Sequence, residues 1–138
     1  MLSNRSIPNA IIIPELGYDD GTIAARWLCD AFGFVERLRI ANHRVQLTLG
    51  EGAAIVVKEH QKNSTTSRAD HAIMVRVDDV DAIAARAEKL GADIAQPPTS
   101  HVYGERQCTI IDIGSHAWAF TQSIADVAPS EWGGELVG

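Results

Sequence analysis

The feature that most limits what this chain can fold into is an internal duplication. Asp19-Asp20-Gly21-Thr22-Ile23-Ala24-Ala25-Arg26 and Asp78-Asp79-Val80-Asp81-Ala82-Ile83-Ala84-Ala85-Arg86 both open on an acidic pair and share Ile-Ala-Ala-Arg, and both run on to a glycine, Gly33 and Gly91. Each reads as a helix. In the first, Asp20 is placed to accept from the unpaired first-turn amides, Ile23, Trp27, Leu28 and Ala31 recur at helical spacing, and Gly33 supplies the left-handed stop. An apolar strand precedes each helix, at 10–16 and 72–77, and three extended stretches follow. In the first copy these are 35–40, 43–49 and 53–58, the last two joined by Gly50-Glu51-Gly52; in the second they are 93–95, 106–111 and 117–121. The pattern is βαβββ twice, an α+β chain of two tandem modules.

At 138 residues the chain holds one domain rather than two independent ones. Module one is placed at 8–60, a polar linker at 61–69, module two at 70–122 and an extended C-terminal tail at 123–138. An apolar fraction of 46% with 22% charged residues is that of a folding globular chain. The formal charge of -6 comes without any basic run that could follow a phosphate backbone, so no nucleic acid is expected. No apolar stretch approaches a membrane span and no leader pattern opens the chain, which gives a cytoplasmic expectation with no membrane partner. Cys29 and Cys108, far apart and without Cys-x-x-Cys spacing, read as reduced and buried.

A module with one helix covers one face of its sheet. The other faces of the two sheets must meet each other or surround something, and a concave apolar cup with a few polar groups is the default ligand site.

The order of the fragments carries a family resemblance. Pro14-Glu15-Leu16-Gly17-Tyr18-Asp19-Asp20 with Ala31-Phe32-Gly33-Phe34, then Val77-Asp78-Asp79-Val80-Asp81, Tyr103-Gly104-Glu105-Arg106 and Asp112-Ile113-Gly114-Ser115-His116-Ala117-Trp118, resembles the vicinal oxygen chelate superfamily of glyoxalases, bleomycin resistance proteins and extradiol dioxygenases. The resemblance covers almost the whole chain and lies nearest the glyoxalase-like, bleomycin-resistance-like branch. It implies a cupped mixed sheet, a homodimer, and in the enzymes a divalent metal held by a histidine on a module's first strand and a carboxylate on its last. The resemblance puts the histidine seven residues before the aspartate that opens the helix and the carboxylate seven after the aspartate of the turn before the last strand; Ala72 and Ile13 stand seven before Asp79 and Asp20, and Ala119 seven after Asp112, all without a donor atom. His71 misses by one residue, which on a strand turns it to the other face. No metal and no cofactor are expected. The alternative is a strand slip that brings His71 beside Glu59.

If Ala72 and Ala119 face the cup, alternation brings Met74, Arg76, Ala117 and Thr121 with them. Arg44, Gln46 and Thr48 face it too, because their alternates Val45, Leu47 and Leu49 belong under a helix. Glu15 shares the face of Ile13, where it either pairs with Arg76 as a structural ion pair or contacts ligand. Tyr103 and Arg106 border the cup and suit a flat ligand. Trp118 and Phe120 are placed beneath a helix, Trp27 in the core, and Trp132 either on its own domain or on a partner subunit. His43, His60, His101 and His116 have no spacing that marks a relay.

The candidate ligand-binding set is thus Glu15, Arg44, Gln46, Met74, Arg76, Tyr103 and Arg106, with no catalytic residue assigned. The expected activity is metal-free sequestration of an aromatic or cationic small molecule, as in antibiotic-binding bleomycin resistance proteins, with Glu15 and Glu105 open to a cation. The alternative is a lyase or dioxygenase of the same superfamily, either metal-dependent or using Glu15 as base. A third reading makes the concave faces a dimer interface.

Overall fold

The helix signals act where the sequence puts them. Helix α1, Gly21–Phe32, is capped by Asp20, whose carboxylate accepts from the Ile23 amide at 2.9 Å, and it stops at Gly33 with φ 81°. Helix α2, Val80–Lys89, repeats this with Asp79 accepting from the Ala82 amide at 3.0 Å. The computed structural model describes residues 1–60, 71–113 and 116–137; the expected linker, 61–69, lies outside the described residues.

Before α1 runs β1, Ile12–Tyr18, and after it β2, Val35–Ile40, β3, Arg44–Leu49, and β4, Ala53–Glu59. The second module runs β5, His71–Arg76, then α2, β6, Asp93–Ser100, β7, Glu105–Ile111, and β8, Ala117–Ser123. In each module the first strand lies parallel to the last, β1 with β4 and β5 with β8. The modules join through the antiparallel pair β1 and β5, which pairs Ile13 with Met74 and Glu15 with Ala72. The result is one mixed sheet with both helices on one side and a concave face on the other.

Three expectations are corrected, two about extent and one about burial. Strand β6 is longer than 93–95, and its Pro97 and Pro98 are tolerated because β6 is an edge strand that pairs with β7 through register shifts. The tail holds elements of its own: a 3-10 turn at Pro129–Glu131 and strand β9, Glu135–Leu136, which pairs with β2 and closes that open edge. Trp27 is not core. The face of α1 against the sheet consists of Gly21, Ala25 and Leu28, and Trp27 lies beside it, 57% exposed, with its ring edge-on to Phe32 at 5.1 Å.

Beneath α1, Ala25 and Leu28 pack on Val45, Leu47 and Val57; beneath α2, Val80 and Ala84 pack on Cys108 and Ile110, with Phe120 at the margin. Trp118, stacked along Phe120, is on this side as expected. The third cluster is on the concave face, and part of its cover comes from the N-terminal segment. Ile7 and Ala10 of the N-terminal segment lie against Ile13, Ala54, Val56 and Met74. The cup is partly filled by the chain's own beginning.

Candidate functional site

The period-two reading of the concave face holds across the strands. Glu15 stands opposite Val56 and Ala72, Gln46 opposite Val56, Met74 opposite Ala119, and Arg76 opposite Thr121. Between these strands and the N-terminal segment lies a cavity of about 340 Å³. Val56, Met74 and Ala119 form its apolar floor, and Glu15, Arg44, Gln46 and Tyr103 of the expected set reach it.

The partners of these residues correct two expectations. Glu15 pairs with Arg44, not Arg76: Arg44 Nη2 donates to Glu15 Oε1 at 2.8 Å, with the Glu15 side chain only 8% exposed. Arg76 shares the concave face but does not line the cavity. Its Nη2 donates to the Leu2 carbonyl and to Ser123 Oγ, and its buried Nε has no partner among the described residues. The N-terminal segment lies over it, which strand parity does not reveal.

Arg106 is displaced altogether. It stands opposite Gln122, on the helix side of the sheet, and its Nε and Nη2 make a two-pronged contact of 2.9 Å each with the Asp81 carboxylate at the start of α2. That contact holds the Asp81 carboxyl below its ordinary value and lifts the Arg106 guanidinium. The residues of β7 that do face the cavity are Glu105, Gln107 and Thr109. A signal for them existed: their alternates Cys108 and Ile110 are the apolar set under a helix, the criterion that identified Arg44 and Gln46 on β3.

These residues form a directional hydrogen-bond chain. Tyr103 donates to Gln107 Oε1 at 2.8 Å, Gln107 Nε2 donates to Thr121 Oγ1 at 3.1 Å, and Thr121 donates to Glu105 Oε1 at 2.6 Å. From the other side Ser123 Oγ, which accepts from Arg76, donates to Glu105 Oε2 at 2.5 Å, and Asn4 Nδ2 donates to the same oxygen at 2.8 Å. Glu105, 1% exposed, is a buried carboxylate satisfied by three donors. Burial raises the Tyr103 phenol above its ordinary value.

Trp132 completes the wall from the tail. Its indole N–H donates to Ser6 Oγ at 2.6 Å and its ring lies 5.2 Å from that of Tyr103, which also stacks on His101 at 5.0 Å. It is therefore anchored on its own domain. The tail and the N-terminal segment hold each other across the cup.

The family's metal does not fit this donor set. Ile13, Ala72 and Ala119 hold their places on the concave face in the expected register, so no strand slip occurs. His71 and Glu59 both lie on the helix side, opposite Leu16 and Tyr18. The two carboxylates at the cavity are engaged, Glu15 by Arg44 and Glu105 by its donors, and no three His, Cys, Asp or Glu residues converge among the described residues.

Comparison with known proteins agrees with this architecture. The family model described as Glyoxalase/Bleomycin resistance protein/Dioxygenase superfamily matches residues 14–120. Methylmalonyl-CoA epimerase, solved with methylmalonyl-CoA and NH4+, superposes with a TM-score of 0.67 at 15% identity over 88% of this chain and 100% of its own. A superfamily member from Vibrio splendidus 12B01 gives 0.59 at 18% identity, over 82% and 97%. A triple mutant of 4-hydroxymandelate synthase from Streptomyces coelicolor gives 0.63 at 26% identity, over 86% of this chain and 40% of that one. No curated protein matches the sequence.

Proposed function

Because the chain belongs to the Glyoxalase/Bleomycin resistance protein/Dioxygenase superfamily, we propose that it uses the superfamily's inter-module cup to bind a small organic ligand with an aromatic ring, without a metal. The observation that carries this reading is the cavity itself. An apolar floor from both modules faces an aromatic wall of Tyr103 and Trp132, and the polar side chains between them, Glu15, Arg44, Gln46, Glu105 and Gln107, are held in place by hydrogen bonds. Side chains without donor atoms at Ile13, Ala72 and Ala119 support binding over metal chemistry. The Arg44 contact on Glu15 supports a charge-pairing role for that carboxylate over a base.

The reading is tested by filling the cavity. Ala119→Phe should abolish the change in tryptophan fluorescence, or the thermal shift, that a panel of aromatic compounds produces with the unaltered protein. A Tm and circular dichroism spectrum near those of the parent would show that the fold survives. Binding left intact by the bulky side chain would place the ligand elsewhere. Dialysis against zinc, nickel, manganese or ferrous ion, followed by elemental analysis, should leave no stoichiometric metal; one bound ion per chain would reverse the metal-independent reading.

We also propose a homodimer. Ile23 and Trp27, one helical turn apart and exposed beside Phe32, give α1 an apolar strip that a second copy would cover.

A further inference from the structure

The charges of the concave face point to the kind of aromatic ligand. In a chain of formal charge -6, the strands around the cavity carry a local excess of the opposite sign. Arg44 lines the cavity, Lys58 stands opposite it on β4, Arg37 donates to the cavity residue Gln46, and Arg76 lies behind Ser123. Against these four stand Glu15 and Glu105; Asp93 shares the face only at the far edge strand, opposite Ile111. Of the two glutamates, Glu105 has both oxygens taken, and Glu15 keeps only Oε2 without a hydrogen bond among the described residues. Glu105 is enclosed by Asn4, Thr121 and Ser123, and Glu15 is held by Arg44. The guanidinium has capacity left: Arg44 Nε and Nη1 make no hydrogen bond among the described residues, and its side chain is 31% exposed at the cavity wall. Arg37 shows the same imbalance, since burial and the charge of Arg76 both push its guanidinium below its ordinary value.

Resting on the binding function proposed above, we infer that the cup takes an aromatic acid, with its ring between the apolar floor and the Tyr103–Trp132 wall and its carboxylate on Arg44. A guanidinium offers a planar pair of donors that matches a carboxylate, and a half-buried site surrounded by like charges gains most from an incoming anion. This departs from the sequence expectation of a cationic ligand, which counted Glu15 and Glu105 as available.

Three probes with one ring and different charge decide it: 2-naphthoate, 2-naphthamide and 2-naphthamidine, titrated into the full chain by calorimetry. The naphthoate should bind at least about tenfold tighter than the amidine, as expected of a charge-assisted pair. Glu15→Gln frees the guanidinium and should tighten naphthoate further. Arg44→Met frees Glu15 and should erase or invert the preference. If Arg44→Met fails to fold, the Glu15→Gln result alone stands as the test. Equal affinities, tighter amidine binding, or naphthoate weakened by Glu15→Gln would each overturn the aromatic-acid inference and leave the binding function standing. Failure of all three probes to bind would overturn both.

Discussion

Replacing Glu105 by glutamine tests the buried hydrogen-bond chain with the smallest change in shape. Thr121 Oγ1 accepts from Gln107, so its own hydrogen is committed to Glu105 Oε1; Ser123 Oγ accepts from Arg76, so its hydrogen is committed to Oε2, where Asn4 Nδ2 also donates. Both sides of the carboxylate therefore present donors. A glutamine side chain satisfies one side with its carbonyl and turns an NH2 against a donor on the other. One charge-assisted bond is lost and one buried donor is left unmet, a cost of about 2–4 kcal/mol with Glu105 at 1% exposure. Glu105→Ala leaves donors unmet on both sides and adds a void, for about 4–5 kcal/mol. For a domain of this size each kcal/mol is worth roughly 3–5 °C, so Glu105→Gln should lower Tm by about 6–20 °C. Urea denaturation followed by circular dichroism reads the same difference in free energy. Thr121→Val removes one opposing hydroxyl, so glutamine at position 105 should cost less in that background than in the parent, with a coupling of about 1 kcal/mol or more. A Glu105→Gln protein as stable as the parent, or strictly additive with Thr121→Val, would refute the claim that both hydroxyls are committed donors.

Gly104→Ala should destabilise by about 2 kcal/mol or more, since at φ 85° its Cβ would come within 2.5 Å of the Ala125 carbonyl; Gly33→Ala, at φ 81° with nothing within 4 Å, should cost only about 1 kcal/mol by thermal denaturation. The Asp81–Arg106 contact depresses the Asp81 carboxyl, so its small contribution should be complete above the ordinary carboxylate value and fade as pH falls through the lower folded value. Arg106→Ala should remove that acid-limb dependence from a Tm-against-pH profile, and an unchanged profile would count against the pair. Light scattering on the chromatographed protein should give the mass of two chains, and Trp27→Glu should halve it without lowering helicity; a monomeric parent would rule the dimer out.

Much of the site was readable because strands alternate and helices announce their ends. The parity of Arg44, Gln46 and Thr48 against Val45, Leu47 and Leu49 put Gln46 and Arg44 at the cavity, and the same reasoning placed Glu15 and Met74 there. Applied to β7 it would have found Gln107 and Thr109 and excluded Arg106. Trp27 misled because an apolar residue on a helix is not thereby on the buried stripe, and small Gly21 and Ala25 let α1 approach the sheet instead.

The sequence by itself determined the duplicated βαβββ plan, the capped helices and the facing of each strand, because these follow from hydrogen bonds and steric periods within a few residues. Only the tertiary structure decided what Glu15 would pair with, and that Ser6 and Trp132, 126 residues apart, would meet across the cup. Such contacts depend on how the two halves of the sheet curve and on where the chain ends return, and no local period encodes either. The shared cup is written in the repeat; its size, its charge balance and its cover are set by residues that meet only once the sheet has closed around them.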